Sequence, residues 1–375
     1  MASRIRFNEF SAAFADLGTF LPLVVGLVLV SGMSPVGLLF GFGIFAIGTG
    51  LFYRRPIPVQ PMKAVAAAGI AGIAGPDVLV ATGILLGVTL LLLSQTNWIG
   101  ALKSLIPRTV LHGMRLALAV SLVTTAFGLS QIELLPLIFL VGLLALLQLS
   151  AIKSVSCIVI ILVGMLLFGG SADLPSAAIS LSLPELVIPS WGSLVVALQD
   201  LFLPQLALTL TNALILTAVI AQDYFPERAK QLTEKRFAMT SGLANVVLAP
   251  LGAMPMCHGA GGIAAHHGMG ARGGSSIIIF GLICLGIAVF YGDYATHLMS
   301  AFPSEVIATL VLFAAWVLAD PSKLLKVRPS CQVIIALMVP LALVGGLFFA
   351  LVVGALLERA RSKYLGPSIT DCSVK

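Results

Sequence analysis

Charge is what this sequence has least of. Only 21 basic and 15 acidic side chains occur in 375 residues, 10% of the chain, whereas a soluble domain carries about 25%. So few charges cannot solvate the surface of a chain this long, which excludes an ordinary soluble enzyme or binding module. Disorder is excluded too, because a disordered chain is poor in hydrophobic residues. The five cysteines (Cys157, Cys257, Cys284, Cys331 and Cys372) are scattered without a CxxC pair, so neither a disulfide scaffold nor a zinc site is indicated. There is no HExxH and no pair of carboxylates of the kind a membrane enzyme would use.

What is present is hydrophobicity: 59% of the residues are hydrophobic and the mean hydropathy is +1.09. Apolar runs separated by short polar breaks cover 11–30, 34–52, 61–75, 77–94, 109–127, 134–150 and 154–170, then 201–221, 237–250, 258–273, 275–292, 306–319, 331–344 and 346–357. Several are shorter than the roughly 20 residues that cross a bilayer as a simple helix. The pattern predicts an all-α polytopic membrane protein with both termini in the cytoplasm, placed in the cell (inner) membrane. Alternate breaks then face the cytoplasm, and these hold Arg4, Arg6, Arg54, Arg55, Lys103, Arg108, Lys153, Arg228, Lys230, Lys235, Arg236, Lys323, Lys326 and Arg328, with Arg359, Arg361, Lys363 and Lys375 in the tail. The opposite breaks carry Glu133, Asp173, Glu185, Asp293 and Glu305 and no Lys or Arg, as the positive-inside rule requires. Lys63, Arg115 and Arg272 are the basic residues within spans. The first run is of full span length and has no small-residue cleavage site, so no cleavable signal peptide is expected.

The segment 171–200, rich in Ser, Pro and Leu, divides the chain into two sets of seven segments: residues 1–170 and 201–357, with 358–375 as a cytoplasmic tail. The halves resemble each other. Phe20-Leu21-Pro22 recurs as Phe202-Leu203-Pro204, Pro61-Met62 as Pro255-Met256, and Pro107 as Pro303, in the same order. Because seven is odd, the second half enters the membrane from the opposite side. The result is an inverted repeat, as in many secondary transporters.

The third and tenth segments carry the chemistry. Pro56, Pro58 and Pro61 cannot lie inside a helix and push the preceding residues toward extended backbone; Ala-rich, helix-compatible sequence follows. Pro250 and Pro255 impose the same extended approach on a glycine-rich helix start at Gly259-Ala-Gly-Gly262. Such backbone is tolerated at membrane depth only where it lines a cavity or is buried in protein. Two half-helices whose N-termini meet near the midplane would offer free N–H groups and about half a positive charge each, a seat for an anion.

The motifs Pro-Ile-Pro-Val-Gln-Pro-Met-Lys-Ala at 56–64 and Pro-Met-Cys-His-Gly-Ala-Gly-Gly at 255–262 resemble the two signatures of the molybdate transporter family, a branch related to the sulfate permease (SulP) superfamily. Phe-Ala-Asp-Leu-Gly-Thr-Phe-Leu-Pro at 14–22 and Leu-Pro-Gln-Leu-Ala-Leu-Thr-Leu-Thr-Asn at 203–212 are similar to family segments as well. The resemblance implies the seven-plus-seven inverted-repeat fold shared with sulfate permeases and uracil-type transporters. In that fold a core domain (segments one to four and eight to eleven) moves against a gate domain. Typical sulfate permeases add a C-terminal STAS domain; none is expected here, as is usual in the molybdate branch.

On this reading the protein is a secondary active transporter that imports a tetrahedral oxyanion, with molybdate first and sulfate or a similar oxyanion as the alternative. A nucleobase permease of the same fold is more distant, because the eighth and tenth segments lack a carboxylate at their centres. A channel is disfavoured because broken helices suit an occluded site. Candidate substrate ligands are Thr19, Gln60, Met62, Lys63, Gln205, Asn212, His258, Gly259, Ala260, Gly261 and Gly262. Lys63 either gives its charge to the anion or snorkels to the cytoplasm. Asp16, an ionisable group within a span, either couples protons or holds a helix end. No cofactor, metal or nucleic acid is expected. The partners are the oxyanion, protons and the lipid bilayer, with a homodimer left open.

Cysteines placed at Ser180 and Gln231 are expected to label from opposite sides of the membrane, position 180 from outside. Labelling of both from one side would refute the topology.

Overall fold

In the computed structural model, which describes residues 8–99, 107–129, 132–150, 155–169, 179–319 and 327–365, every expected apolar segment has a helical counterpart. Arg4, Arg6, Lys103, Lys153, Asp173, Lys323, Lys326 and Lys375, which entered the topology reading, lie outside the described residues. The first half contains α1 (Leu17–Leu29), α2 (Pro35–Tyr53), α3 (Lys63–Ile70), α4 (Pro76–Ser94), α5 (Arg108–Gly128), α6 (Leu134–Gln148) and α7 (Ser156–Phe168). The second contains α8 (Trp191–Tyr224), α9 (Glu234–Leu248), α10 (Ala260–Gly268), α11 (Ser275–Ser300), α12 (Ser304–Ala319) and α13 (Pro329–Leu365).

The last two expected spans form a single element folded on itself. Gly346 (φ 83°, ψ 166°) breaks α13 in a conformation open essentially to glycine alone. Arg361 Nη1 then reaches Ser330 Oγ at 3.4 Å, although 31 residues of straight helix would separate them by about 46 Å. The two arms are therefore an antiparallel hairpin. The second arm continues through a buried Arg361–Glu358 ion pair to Leu365, so 358–365, read as tail, is helix.

Two further boundaries differ from the sequence reading. The eighth helix begins at Trp191, capped by Ser190 Oγ accepting from the Ser193 N–H at 3.1 Å, so 191–200 belongs to it and not to the connecting segment. The polar pair Gln199-Asp200 hides this start from a hydropathy reading. The first span breaks at Asp16, whose carbonyl accepts from the Thr19 and Phe20 N–H groups, and its regular helix starts at Leu17 rather than at residue 11.

The repeat shows in the packing. Helix α2 lies against α11, and α4 against α9, two pairs that exchange when each segment is advanced by seven. Both contacts are made through glycine. A Cβ on Gly43 would lie 2.9 Å from the Leu285 backbone nitrogen, and one on Gly242 would lie 2.8 Å from that of Leu91. Close backbone approach through small residues is how helices associate where water supplies no hydrophobic drive. A second group of helices, α5, α6, α7, α12 and α13, packs mainly within itself and meets the first where α12 and α7 touch α1, α5 touches α3 and α13 touches α8. This is a seven-plus-seven inverted-repeat membrane fold with core and gate groups.

One carboxylate ties the start of the chain to this frame. Glu9, only 5% exposed, accepts the backbone N–H groups of Arg272 (2.8 Å), Gly273 (2.7 Å) and Ser276 (3.0 Å), capping the entry to α11. Glu9→Ala leaves these donors unanswered and is expected to destabilise the protein by about 2–3 kcal/mol, with Glu9→Gln losing less. Thermal unfolding of detergent-solubilised protein measures this. Equal midpoints for the Ala variant and wild type would show that the cap contributes nothing.

Candidate functional site: a cavity between two half-helix starts

The prolines of the third and tenth segments do what their chemistry requires. With helix denied to residues 56–61 and 255, the backbone runs extended as β1 (Val59–Pro61) and β2 (Met256–His258), which pair antiparallel with Gln60 opposite Cys257. This two-stranded pair is the one sheet among the described residues of an otherwise helical chain. The Met62 N–H extends the pairing by donating to Pro255 O at 2.9 Å. Asn245, fully buried on α9, completes it: its amide donates to Met256 O (2.7 Å) and accepts from the Met256 N–H (2.8 Å), as a third strand would. Directly after the strands, α3 starts at Lys63 and α10 at Ala260, so the paired strands aim both helix N-termini into one space.

That space is a cavity of about 420 Å³. Asp16 and Thr19 line it from the start of α1, and Gln60, Lys63 and Ala64 from β1 and α3. Gln205, Thr209 and Asn212 line it from α8, and Cys257 to Gly262 from β2 and α10. Thr209 and Asn212 lie on a π-helical stretch of α8 (Thr209–Leu216), a widened turn of the kind found at functional sites. Of the residues expected at the site, all but Met62 reach this cavity. Met62 is 0% exposed, and its side chain joins the hydrophobic core instead. As the extended residue immediately before α3, it turns inward while Lys63 faces the space.

The two helix starts are not equivalent. At α3, Gln205 Oε1 accepts from the Ala64 N–H (3.1 Å) and the Val65 N–H (3.3 Å), while its Nε2 donates to Thr209 Oγ1 (2.9 Å). Those donors are already answered by the protein. At α10, the N–H groups of Ala260, Gly261 and Gly262 have no acceptor among the described residues. The repeat offset that relates Phe202-Leu203-Pro204 to Phe20-Leu21-Pro22 places Leu23 where Gln205 stands, and leucine cannot cap. The α10 start is therefore the open one.

The glycines there have different reasons. A Cβ on Gly259 would collide with the Gln60 amide, and one on Gly262 would meet Pro58, Gln60 Nε2 and, at 2.9 Å, Asp16 Oδ2. Gly261 is exposed with nothing within 4 Å of its Cβ position, so it fronts the open cavity. Asp16 accepts a hydrogen bond from Gln60 Nε2. Its carboxylate thus sits against the same helix start.

His258 lines the cavity, but its ring serves the protein. Nδ1 lies 3.2 Å from Pro58 O, an acceptor only, so this nitrogen carries a proton; Nε2 lies 2.8 Å from Thr240 Oγ1, which also contacts Tyr53 Oη at 2.9 Å. With both nitrogens engaged and only 1% exposure, His258 is a brace rather than an anion donor. His266 is buried too, and His267 stacks on Tyr224 at 4.2 Å; neither forms a metal cluster among the described residues. Arg272 donates to the His267 and Ala271 carbonyls and closes the segment.

Arg115, Thr209, Thr240 and Asn245 were missed as site or supporting residues. A second cavity of about 330 Å³ lies beyond the C-terminal end of α3, between Ala71 and Ile73, Ser121 and Thr124 on α5, Asp200 on α8 and the Gly346 bend.

The architecture, with two broken segments meeting in a polar cavity, is that of an anion-transporter fold. The chain superimposes on the transmembrane domain of a cyanobacterium bicarbonate transporter, BicA (TM-score 0.65, 15% identity, 95% of this chain and 96% of that one). It likewise matches murine Solute Carrier 26 family member A9, an anion transporter solved in the inward-facing state (TM-score 0.65, 12% identity, 96% and 68%). The chain belongs to the molybdate transporter family: the model described as "Molybdate transporter of MFS superfamily" matches residues 8–122 and 197–318. Among its relatives are Molybdate transporter 2 of Arabidopsis thaliana, 28% identical over 84% of this chain and 79% of that protein, and Molybdate transporter 1 of the same plant, 28% identical over 84% and 80%. The chain is thus a multi-pass membrane transporter and not an enzyme.

Proposed function

We propose that the protein imports a tetrahedral oxyanion, molybdate first, by alternating access around the 420 Å³ cavity. The observation that carries this reading is the trio of unanswered N–H groups at Ala260, Gly261 and Gly262, with Lys63 facing the same space. A compact oxyanion accepts several convergent donors at once, and the absence of a Cβ at Gly261 lets it approach the backbone. A planar nucleobase would need a carboxylate to read its ring N–H groups. Among the described residues the one lining carboxylate, Asp16, is engaged by Gln60. The relatives named as molybdate transporters support putting molybdate first, with sulfate as the second reading.

In this proposal repeats 1–170 and 201–357 supply the two half-helices, and the cavity at their N-termini and the one beyond the end of α3 lie on the alternating routes. Both chain ends lie in the cytoplasm of the cell (inner) membrane. Thr19, Gln60, Gln205 and Asn212 shape the polar wall.

The test is calorimetric titration of purified protein with molybdate, sulfate, uracil and chloride. Molybdate is expected to bind most tightly, and uracil binding without oxyanion binding would overturn the assignment. Gly261→Val fills the seat and is expected to abolish uptake without loss of expression; wild-type affinity in that variant would place the anion elsewhere.

Protons are the proposed coupling ion. An inside-negative potential opposes entry of a dianion, so a driving cation is required. A dianion beside the Asp16 carboxylate is also repelled unless that group carries a proton. Uptake should therefore rise as external pH falls, and Asp16→Asn should flatten the dependence. Lys63→Gln should weaken binding by about 1.5–3 kcal/mol, the worth of a hydrogen bond to a charged group. A flat wild-type pH profile would reject proton coupling.

A further inference from the structure

Asp16 stands between two spaces. It lines the 420 Å³ cavity on one side, and on the other a separate cavity of about 10 Å³ whose wall includes Ala13, Phe20, Pro58, Phe280 and His266. We infer that His266 and one water in this small cavity form a proton relay, carrying the coupled proton from Asp16 to the cytoplasmic end of α10. The inference rests on the proton-coupling reading above and extends it by naming the exit.

Three observations bring the parts together. His266 is only 2% exposed, and its Nδ1 has no hydrogen-bond partner among the described residues. A buried polar atom left in this way is costly unless a water answers it. The spacing along α10 fits a bridge: a Cβ on Gly262 would lie 2.9 Å from Asp16 Oδ2, and His266 follows one turn later on the same face. One turn advances about 5.4 Å, too far for a direct hydrogen bond but close to two bonds of about 2.8 Å through a water. The volume agrees, since one water needs roughly 10–15 Å³ and a hydrated ion far more. The rest of the wall is Ala, Leu, Phe, Pro, Val and Ile, which leaves the carboxyl and the imidazole as the side chains such a water would join.

The step balances as one proton moved. Asp16 gives its carboxyl proton to the water, and the water gives one of its own to His266 Nδ1, the accepting nitrogen when Nε2 carries the ring proton. A neutral acid and a neutral ring become a carboxylate and an imidazolium. The imidazolium then loses a proton to solvent beyond Gly268, where α10 ends. This route runs behind the carboxylate, so it stays available while an anion fills the large cavity. Other ionisable groups around His266 are otherwise engaged or face elsewhere. His267 stacks on Tyr224 of α8, and Arg272 donates to the His267 and Ala271 carbonyls. Glu9 accepts the backbone N–H groups at the entry to α11, Asp223 lies at the end of α8, and Lys63 faces the large cavity. β1 and α11 present only Val59, Ile277 and Phe280 to the small cavity.

The test uses the full chain in proteoliposomes with a trapped pH dye. Two quantities are compared: net molybdate uptake with its proton flux, driven by an acid exterior, and exchange of labelled molybdate at equal low pH on both sides. Exchange needs no proton release, because Asp16 stays protonated throughout. His266→Gln is expected to lower net uptake and proton flux by roughly tenfold or more, the loss of a positioned proton-transfer group, and to leave exchange near wild type. Ala13→Val keeps the histidine and fills the small cavity, and is expected to do the same. Unchanged net uptake in His266→Gln would overturn the relay, and so would equal losses of net uptake and exchange, which mark a structural role. If the Gln variant does not fold, Ala13→Val decides by the same two criteria. Wild-type uptake that carries no protons would fail the coupling reading itself, an outcome distinct from a proton-coupled wild type with an unaffected variant.

Discussion

The antiparallel pairing of β1 with β2 is the contact on which the rest of the site depends. Extended backbone deep inside a membrane protein exposes donors and acceptors that lipid cannot satisfy, each at a cost of several kcal/mol. Two such stretches, one from each repeat, answer one another: Gln60 lies opposite Cys257, and the Met62 N–H reaches Pro255 O. Proline suits this role because it removes donors that would otherwise need partners. Asn245 meets the remaining need at Met256 from the side. Once the strands are paired, the two helices that follow have no freedom in where they begin, and the cavity is the space between their starts.

The symmetry that builds the cavity is broken where chemistry requires it. An exact repeat would offer equivalent seats at α3 and α10. Gln205 fills the first with its own carbonyl, and Leu23 leaves the second open. The same inequality appears in the glycines. Gly259 and Gly262 make room for Gln60 and Asp16, whereas Gly261 makes room for nothing in the protein. On the transport reading the anion's seat is therefore in the second repeat, although both repeats frame it.

Much of this was legible in the sequence, for physical reasons. Proline and glycine punctuate backbone irrespective of context, so the two broken segments and their extended approaches could be read directly. One-sided Lys and Arg fixed the parity of the spans, and recurring Phe-Leu-Pro and Pro-Met pairs exposed the repeat. What escaped depends on where side chains point. Met62 and Lys63 are neighbours in a motif, yet one turns to the core and the other to the cavity. His258 looked like a donor because its partners Thr240 and Pro58 are remote in sequence. Asn245 follows Thr240 and Ser241 on α9 without a spacing that marks it. Arg115 could be counted as a charge in a span, but not assigned to a wall. The hairpin of α13 was legible as two spans because Gly345-Gly346 interrupts the run, while the early start of α8 was masked by Gln199 and Asp200.

On the transport reading, the capped helix start has a further consequence. A carrier that moves its cargo one way must also return empty. In the empty state every buried N–H group without a partner costs about 1–3 kcal/mol unless water replaces the anion. If both half-helices stood open, the empty cavity would carry that cost twice. Gln205 removes it at α3, and its own amide is anchored by Thr209 so that it does not collapse into the seat. The open donors at α10 are then the smaller set that water must satisfy on the return, and the anion's binding energy is concentrated at the one end where it changes between loaded and empty states. A capped α3 and an uncapped α10 are therefore what a carrier would be expected to have, whereas a static anion store would gain by leaving both ends free.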